Sequence, residues 1–151
     1  AFVPDPLQGV LEMGRVVRGG GLVAAYMWDL GGGGFPYQQA NAALGSLGRS
    51  TPTPPSPEAA KPEVMASLWE RAGLGAIAST TITVTRSFTS FDDYWSIVCQ
   101  GPSLGPAIAS LDAAQRAQLR SDLQQQLQPG GGSAITLSGR ATAIRGIAAA
   151  G

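Results

Sequence analysis

The feature that most restricts the fold of this chain is an unbroken apolar run of strand length at residues 22–28. A strand with one wet face alternates apolar and polar side chains, whereas a continuous run is typical of a strand covered on both faces. A helix pattern and a tight glycine turn at residues 19–21 come directly before it. Helix, turn and covered strand make half of a βαβ unit, so the run predicts an α/β fold with parallel strands between helices.

The helix signals in the rest of the chain are caps and apolar spacing. Asp5 before Pro6 predicts a helix start, because aspartate caps helix N-termini and proline suits the first turn. Ser90 and Asp93 have the spacing of a capping box, and Ser110 is the predicted cap of the last helix. Helices are therefore predicted to begin after Asp5, near residue 36, at Pro62, after Ser90 and after Ser110.

Two later segments have strand patterns. The threonine-rich residues 77–86 predict a strand. Residues 135–143 alternate between apolar and polar side chains, which predicts a half-exposed and antiparallel final strand. The sequence thus predicts an α/β fold in a single partial domain over residues 1–151, with a Gly/Pro-rich insertion at residues 31–61.

Charge and composition exclude several classes of function. Ten Lys and Arg residues balance ten Asp and Glu and lie scattered, so neither nucleic acid nor a membrane is an expected partner. The absence of histidine and the single Cys99 exclude a His/Cys zinc site, a triad with histidine and an internal disulfide. A carboxylate-only metal site stays open, but no acidic cluster has calcium-loop spacing, so no metal is predicted. Cys99 is interpreted as a small apolar residue rather than a nucleophile, and a lone cysteine is typical of a cytoplasmic protein.

Segments from both ends of the chain resemble one family. The N-terminal segment has the pattern F-x-x-D-P, then E-x-x-R-V-x-R followed by glycines, then a strand ending in aspartate. Its matching residues are Phe2, Asp5, Pro6, Glu12, Arg15, Val16, Arg18, Gly20, Gly21 and residues 23–29. Near the C-terminus the matching residues are Arg86, Ser87, Phe88, residues 91–95, Ser110, Leu111, Asp112, Arg116, Leu119, Arg120 and residues 139–141. Together these resemble the UbiE-like (methyltransferase type 11) group of class I S-adenosylmethionine-dependent methyltransferases, and the second set is similar to one bacterial branch.

The resemblance implies a Rossmann-like methyltransferase sheet of which this chain holds strands five to seven, with flanking helices and an antiparallel final strand. It implies S-adenosylmethionine as cofactor, with Phe2 and Val3 close to it, and a small-molecule methyl acceptor as substrate. The family's glycine-rich loop, its ribose-binding acidic residue and its adenine-contacting segment are all missing from this sequence. The glycine run at residues 31–34 does not replace them, because no helix start follows it at dinucleotide-loop spacing.

Five residues are candidates for the site. Asp29 comes just after the strand's carboxyl end, where open α/β sheets bind ligands, and would orient a substrate or accept a proton. A turn or capping role is the alternative for Asp29. Trp28 would line the pocket or pack in the core. By resemblance Phe91, Tyr94 and Trp95 form a substrate-binding wall, although an aromatic stripe at helical spacing also suits a plain core.

Two functional hypotheses follow. In the first, the chain is the substrate-side half of a methyltransferase and is inactive alone, because the cofactor-binding half is absent. In the second, it is a non-catalytic, methyltransferase-derived binding or dimerisation module. The chain lacks an initial methionine, and its residues 22–28 would expose a free apolar edge. We therefore expect a homodimer or a separate N-terminal half to cover that edge.

Overall fold

The computed structural model describes residues 1–132 and 134–150 of the chain. Over those residues it is an α/β structure with six α-helices and three strands, which confirms the predicted class. The elements are α1 (Pro6–Val16), β1 (Leu22–Trp28), α2 (Gln38–Ser46), α3 (Pro62–Arg71), β2 (Gly75–Phe88), α4 (Phe91–Gln100), α5 (Gly105–Ala109), α6 (Ala113–Leu127) and β3 (Ile135–Ile147), with a 3-10 helix at Pro57–Ala60. None of the helices in this described part is both long and apolar enough to cross a membrane.

Side-chain caps set the starts of α1 and α4, as predicted. The Asp5 carboxylate accepts a hydrogen bond from the Gln8 backbone N–H at 3.0 Å. The Ser90 hydroxyl accepts one from the Asp93 backbone N–H at 3.1 Å. Each bond satisfies a backbone donor that the first helical turn would otherwise leave unpaired.

The predicted cap of the last helix was wrong by two residues. α6 is capped by Asp112, whose carboxylate accepts from the Gln115 N–H at 2.8 Å while the Gln115 side chain accepts from the Asp112 N–H at 3.3 Å. Ser110 instead follows α5, a short helix that the sequence patterns did not predict. A capping box needs a polar side chain three residues after the cap, and Ala113 cannot supply one for Ser110.

The final strand lies between the other two, in the order β1-β3-β2. β1 pairs antiparallel with β3, from Leu22↔Ile147 to Trp28↔Ala141. β2 is also antiparallel to β3: the carbonyl of Gly75 lies beside Gly146 at one end, and the Ser87 and Thr136 hydroxyls are 2.9 Å apart at the other. β1 and β2 therefore run in the same direction, and a helical connection joins them. The predicted antiparallel final strand is confirmed.

The prediction that helices cover both faces of β1 was wrong. Val23 is buried, but Leu22 is 55% exposed and Tyr26 is 73% exposed. The paired neighbour of β1 is antiparallel, where the apolar run predicted parallel strands. The run shows that both faces of the strand are apolar, but the tertiary contacts decide what covers each face.

The chain forms two compact units, each with its own core. The first comprises Ala1–Phe35, Thr53–Val84 and Gly139–Gly151, and the second comprises Pro36–Pro52 and Thr85–Ser138. The first core contains Val10, Val23, Met65, Trp69 and Ile144. The second contains Leu44, Tyr94, Leu119, Leu123 and Ile135. Residues 31–61 contribute α2 to the second unit, and the single partial domain and its insertion stay predictions.

Candidate functional site

A closed polar loop follows β1 at residues 29–34. The Asp29 Oδ2 atom accepts hydrogen bonds from Nε of Arg140 at 2.9 Å and from Nη2 at 2.5 Å. Oδ1 accepts from the Gly32 N–H at 2.7 Å, and Nη2 of Arg140 also donates to the Gly32 carbonyl at 2.8 Å. Asp29 therefore ties the loop after β1 to β3 through both of its oxygens.

Backbone contacts close the same loop and explain its glycines. The Gly34 N–H donates to the Asp29 carbonyl at 2.8 Å, and the Arg140 N–H donates to the Gly34 carbonyl at 2.8 Å. A Cβ atom at Gly34 would lie 2.6 Å from the Arg140 carbonyl oxygen, and one at Gly32 would overlap the Asp29 carboxylate. Gly33 has a φ of +76°, in the left-handed region that favours glycine. Contacts within the chain thus explain why this loop is rich in glycine.

The charges in this loop make Asp29 a weak base. The Arg140 hydrogen bonds, and after them the Gly32 N–H, hold the pKa of Asp29 below its ordinary value. A general base works best when its pKa lies near the working pH and a lone pair is free to take the proton. This geometry agrees with the alternative in which Asp29 forms a turn. A catalytic role for Asp29 stays a prediction.

The other predicted residues of the first unit are Trp28, Phe2 and Val3, whose side chains make no hydrogen bond among the described residues. Trp28 is half-buried at the end of β1 and is paired in register with Ala141. Phe2 is 70% exposed and Val3 is 44% exposed. The Ser56 hydroxyl donates to the Val3 carbonyl at 3.0 Å, so the segment is held through its backbone. A cofactor-binding role for Phe2 and Val3 stays a prediction.

The three aromatic candidates on α4 lie in the core of the second unit. Phe91 is 3% exposed, Tyr94 is fully buried and Trp95 is 9% exposed. The Phe88 and Tyr94 rings pack edge to face with centroids 5.4 Å apart, and the Phe91 and Trp95 rings stack at 6.2 Å. Burial raises the pKa of Tyr94 to about 12, and its hydroxyl has no hydrogen-bond partner among the described residues. The structure thus favours core packing for Tyr94 and Trp95.

Phe91 also lines a polar groove that sequence reasoning missed. The groove has a volume of about 550 Å³, and its walls include Ser90, Asp92, Arg120 and Gln124. Arg120 forms an ion pair with Asp92, and its guanidinium carbon lies 5.4 Å from the Phe91 ring centroid. Asp92 and Arg120 are 28 positions apart in the chain, so no local spacing could have revealed the pair.

Cys99 lies in surroundings that favour its neutral thiol. It is half-buried, and burial raises its pKa although the nearby Arg116 acts in the opposite direction. The Arg116 Nη2 atom lies 3.7 Å from the sulfur. Over the described chain, no group of three His, Cys, Asp or Glu side chains is arranged to hold a metal ion.

The carboxylate of Asp29 and the N–H groups of Gly32 and Gly34 do not fit S-adenosylmethionine, because they are already bonded within the protein. A ribose needs a free carboxylate, but both oxygens of Asp29 are occupied by Arg140 and Gly32. The N–H groups of Gly32 and Gly34 already donate within the loop, so they are not available to a ligand. No protein-family model matches the chain, and no curated protein matches it. The methyltransferase assignment therefore stays a prediction from the sequence resemblance.

Proposed function

We propose that this chain is the substrate-side half of a small-molecule S-adenosylmethionine-dependent methyltransferase and that it is inactive alone. The observation that carries the proposal is the position of β1. It lies at the edge of the sheet and is bonded on one side to the antiparallel final strand β3. The open side is where the resemblance expects the fourth strand of the methyltransferase sheet.

The path of the chain supports the same assignment. β1 and β2 run in one direction, with α2 and α3 in the connection between them. Same-direction strands joined through helices are typical of α/β sheets that bind ligands at the carboxyl ends of their strands. The loop at residues 29–34 lies at that end of β1. It would shape the border of a substrate site without providing the reacting groups.

A second candidate function is a non-catalytic binding or dimerisation module. The observation that favours it is that two candidate site residues already have structural roles. Asp29 is paired with Arg140, and Tyr94 is buried in a core. In this second case the chain has the same fold but forms no catalytic site.

The two candidates differ in what a cofactor-binding half would do. The first experiment titrates the folded chain alone with S-adenosylhomocysteine in a calorimeter, and we expect no binding up to millimolar ligand. The second repeats the titration after co-expression with the cofactor-binding half of a UbiE-like methyltransferase, which is also titrated alone as the control. Binding that appears, or tightens about tenfold, only in the mixture supports the half-enzyme. No change in the mixture supports the module, and micromolar binding by the chain alone contradicts the proposed inactivity.

A further inference from the structure

In the first unit, β1 and β3 are covered on one face only. Val23 of β1 and Ile144 of β3 point into the core formed with α1 and α3. Side chains alternate between the two faces along a strand, so Leu22, Ala24 and Tyr26 point the other way. Leu22 and Tyr26 are 55% and 73% exposed there. The opposite face of β1 is therefore apolar and open.

The neighbouring strands continue this open face. Ala143 and Arg145 of β3 are the register partners of Tyr26 and Ala24. On β2, Ile82 lines the same groove, and Val84 follows it at the spacing of one face. Ile82 and Val84 are 44% and 47% exposed. Large exposed apolar patches are uncommon on isolated soluble domains and mark interaction sites.

A groove of about 480 Å³ runs over this face, and one charge faces it. Its lining is mostly apolar and includes Ala24, Tyr26, Ile82 and Ala143. Arg145 lines the groove as well, and in the described part of the chain its side chain makes no ion pair or hydrogen bond. A lone guanidinium in apolar surroundings is best complemented by a carboxylate, which accepts two of its hydrogen bonds.

The dimensions of the face match a single helix. Three strands at about 4.8 Å spacing place the outer strand axes about 10 Å apart, and a helix with side chains is about 10–12 Å wide. The seven residues of β1 span about 23 Å, the length of a helix of about 15 residues. Leu22 and Val84 are exposed but lie outside the groove lining, so the apolar surface is longer than a small molecule in the groove would cover.

We propose that this open sheet face is a docking surface for an amphipathic helix of a partner protein, with a carboxylate of that helix paired to Arg145. The proposal is independent of the methyltransferase assignment, since it uses only the exposed face of the first unit. A second copy of this chain is the less suitable occupant. The lining of the groove contains no Asp or Glu, so the same face of a second copy would bring another Arg145 and no carboxylate to pair with it.

The test measures binding of a synthetic peptide to the full chain by fluorescence anisotropy. The peptide is a fluorescein-labelled, stapled helix of about 15 residues with a leucine stripe and one central glutamate in that stripe. A matched peptide has lysine in place of the glutamate. We expect the glutamate peptide to bind at least tenfold more tightly than the lysine peptide, and Arg145→Glu to reverse this preference.

Two controls keep the result interpretable. Arg18→Glu makes the same charge change at an exposed arginine outside the groove and should leave both affinities unchanged. Circular dichroism of Arg145→Glu should match the wild type, because the side chain is exposed. Equal binding of the two peptides, no binding of either, or loss of affinity in Arg18→Glu as large as in Arg145→Glu would each overturn the proposal. A dimer seen by light scattering that Arg145→Glu dissociates would also overturn the proposal, because a second copy would then occupy the face. Competition by dodecanoate at a lower concentration than the peptide would overturn it too, because the groove would then favour a fatty acid.

Discussion

Asp29 and Arg140 lie 111 positions apart in the chain and are joined by two hydrogen bonds to one carboxylate oxygen. Gly32 bonds to both side chains, accepting from Arg140 and donating to Asp29. The three residues therefore hold the loop after β1 in one conformation against β3. Side-chain exposures of 48% for Arg140 and 24% for Asp29 limit the energy of the pair, because water screens it.

The Asp29–Arg140 pair predicts an acid-dependent loss of stability. The pKa of Asp29 is held below 3.8, so the native state favours the ionised form. Its contribution is complete at neutral pH and disappears as the pH falls through about 4 and below. We expect Asp29→Asn to lower the free energy of unfolding by about 1 kcal/mol at neutral pH. Urea unfolding at a series of pH values should show this difference shrinking in acid.

A matched variant tests whether the effect is specific to the loop. Glu12 pairs with Arg15 on the surface of α1, and Glu12→Gln should change the neutral-pH stability little. A difference between the wild type and Asp29→Asn that stays constant down to about pH 3 would contradict the assigned role of the pair.

The glycine loop predicts unequal tolerance of alanine. At Gly34 a Cβ atom would lie 2.6 Å from the Arg140 carbonyl oxygen, whereas at Gly31 it would meet nothing within 4 Å. Gly34→Ala should lower the free energy of unfolding by about 1–3 kcal/mol, the usual cost of overpacking. Gly31→Ala should be neutral within about 0.5 kcal/mol. Thermal unfolding of the two variants decides this, and equal stabilities would show that the loop is not closed.

The cap of α6 predicts that Asp112 contributes more to stability than Ser110 does. Asp112→Ala removes the carboxylate that accepts from the Gln115 N–H and leaves the backbone N–H that donates to the Gln115 side chain, and it should cost about 1 kcal/mol of stability. Ser110→Ala removes a side-chain bond to the Ala107 carbonyl and leaves α6 capped, so its effect should be smaller. Chemical denaturation of both variants compares them directly. A larger loss in Ser110→Ala would restore the helix start that the sequence patterns indicate.

The buried hydroxyl of Tyr94 predicts a stabilising substitution. Tyr94 is fully buried, and its hydroxyl makes no hydrogen bond within the described residues. Tyr94→Phe removes an unsatisfied polar group and should raise the free energy of unfolding by about 1 kcal/mol. It should also remove the tyrosine that ionises at a pKa of about 12 from the absorbance titration.

Tyr26→Phe is the control for that substitution, because its ring is 73% exposed. It should change stability by less than about 0.5 kcal/mol. Destabilisation by Tyr94→Phe would mean that the hydroxyl has a bonding partner in solution.

Local patterns predicted most of the elements and little of the site. Asp5 and Ser90 cap helices through bonds to backbone only three residues away, so their roles can be read directly from spacing. The buried pair Leu119 and Leu123 on α6 follows from a spacing of four. The Asp29–Arg140 and Asp92–Arg120 pairs join distant segments, and no local rule specifies them.

The sequence by itself determined where most of the helices and strands form, because caps, glycine stops and side-chain periodicity act over a few neighbouring residues. It also determined that β1 is apolar on both sides. Only the tertiary structure decided that β3 lies between β1 and β2, that one face of β1 stays open and that Tyr94 is in a core. Burial and strand order depend on contacts between residues far apart in the chain, whose energies no local pattern encodes.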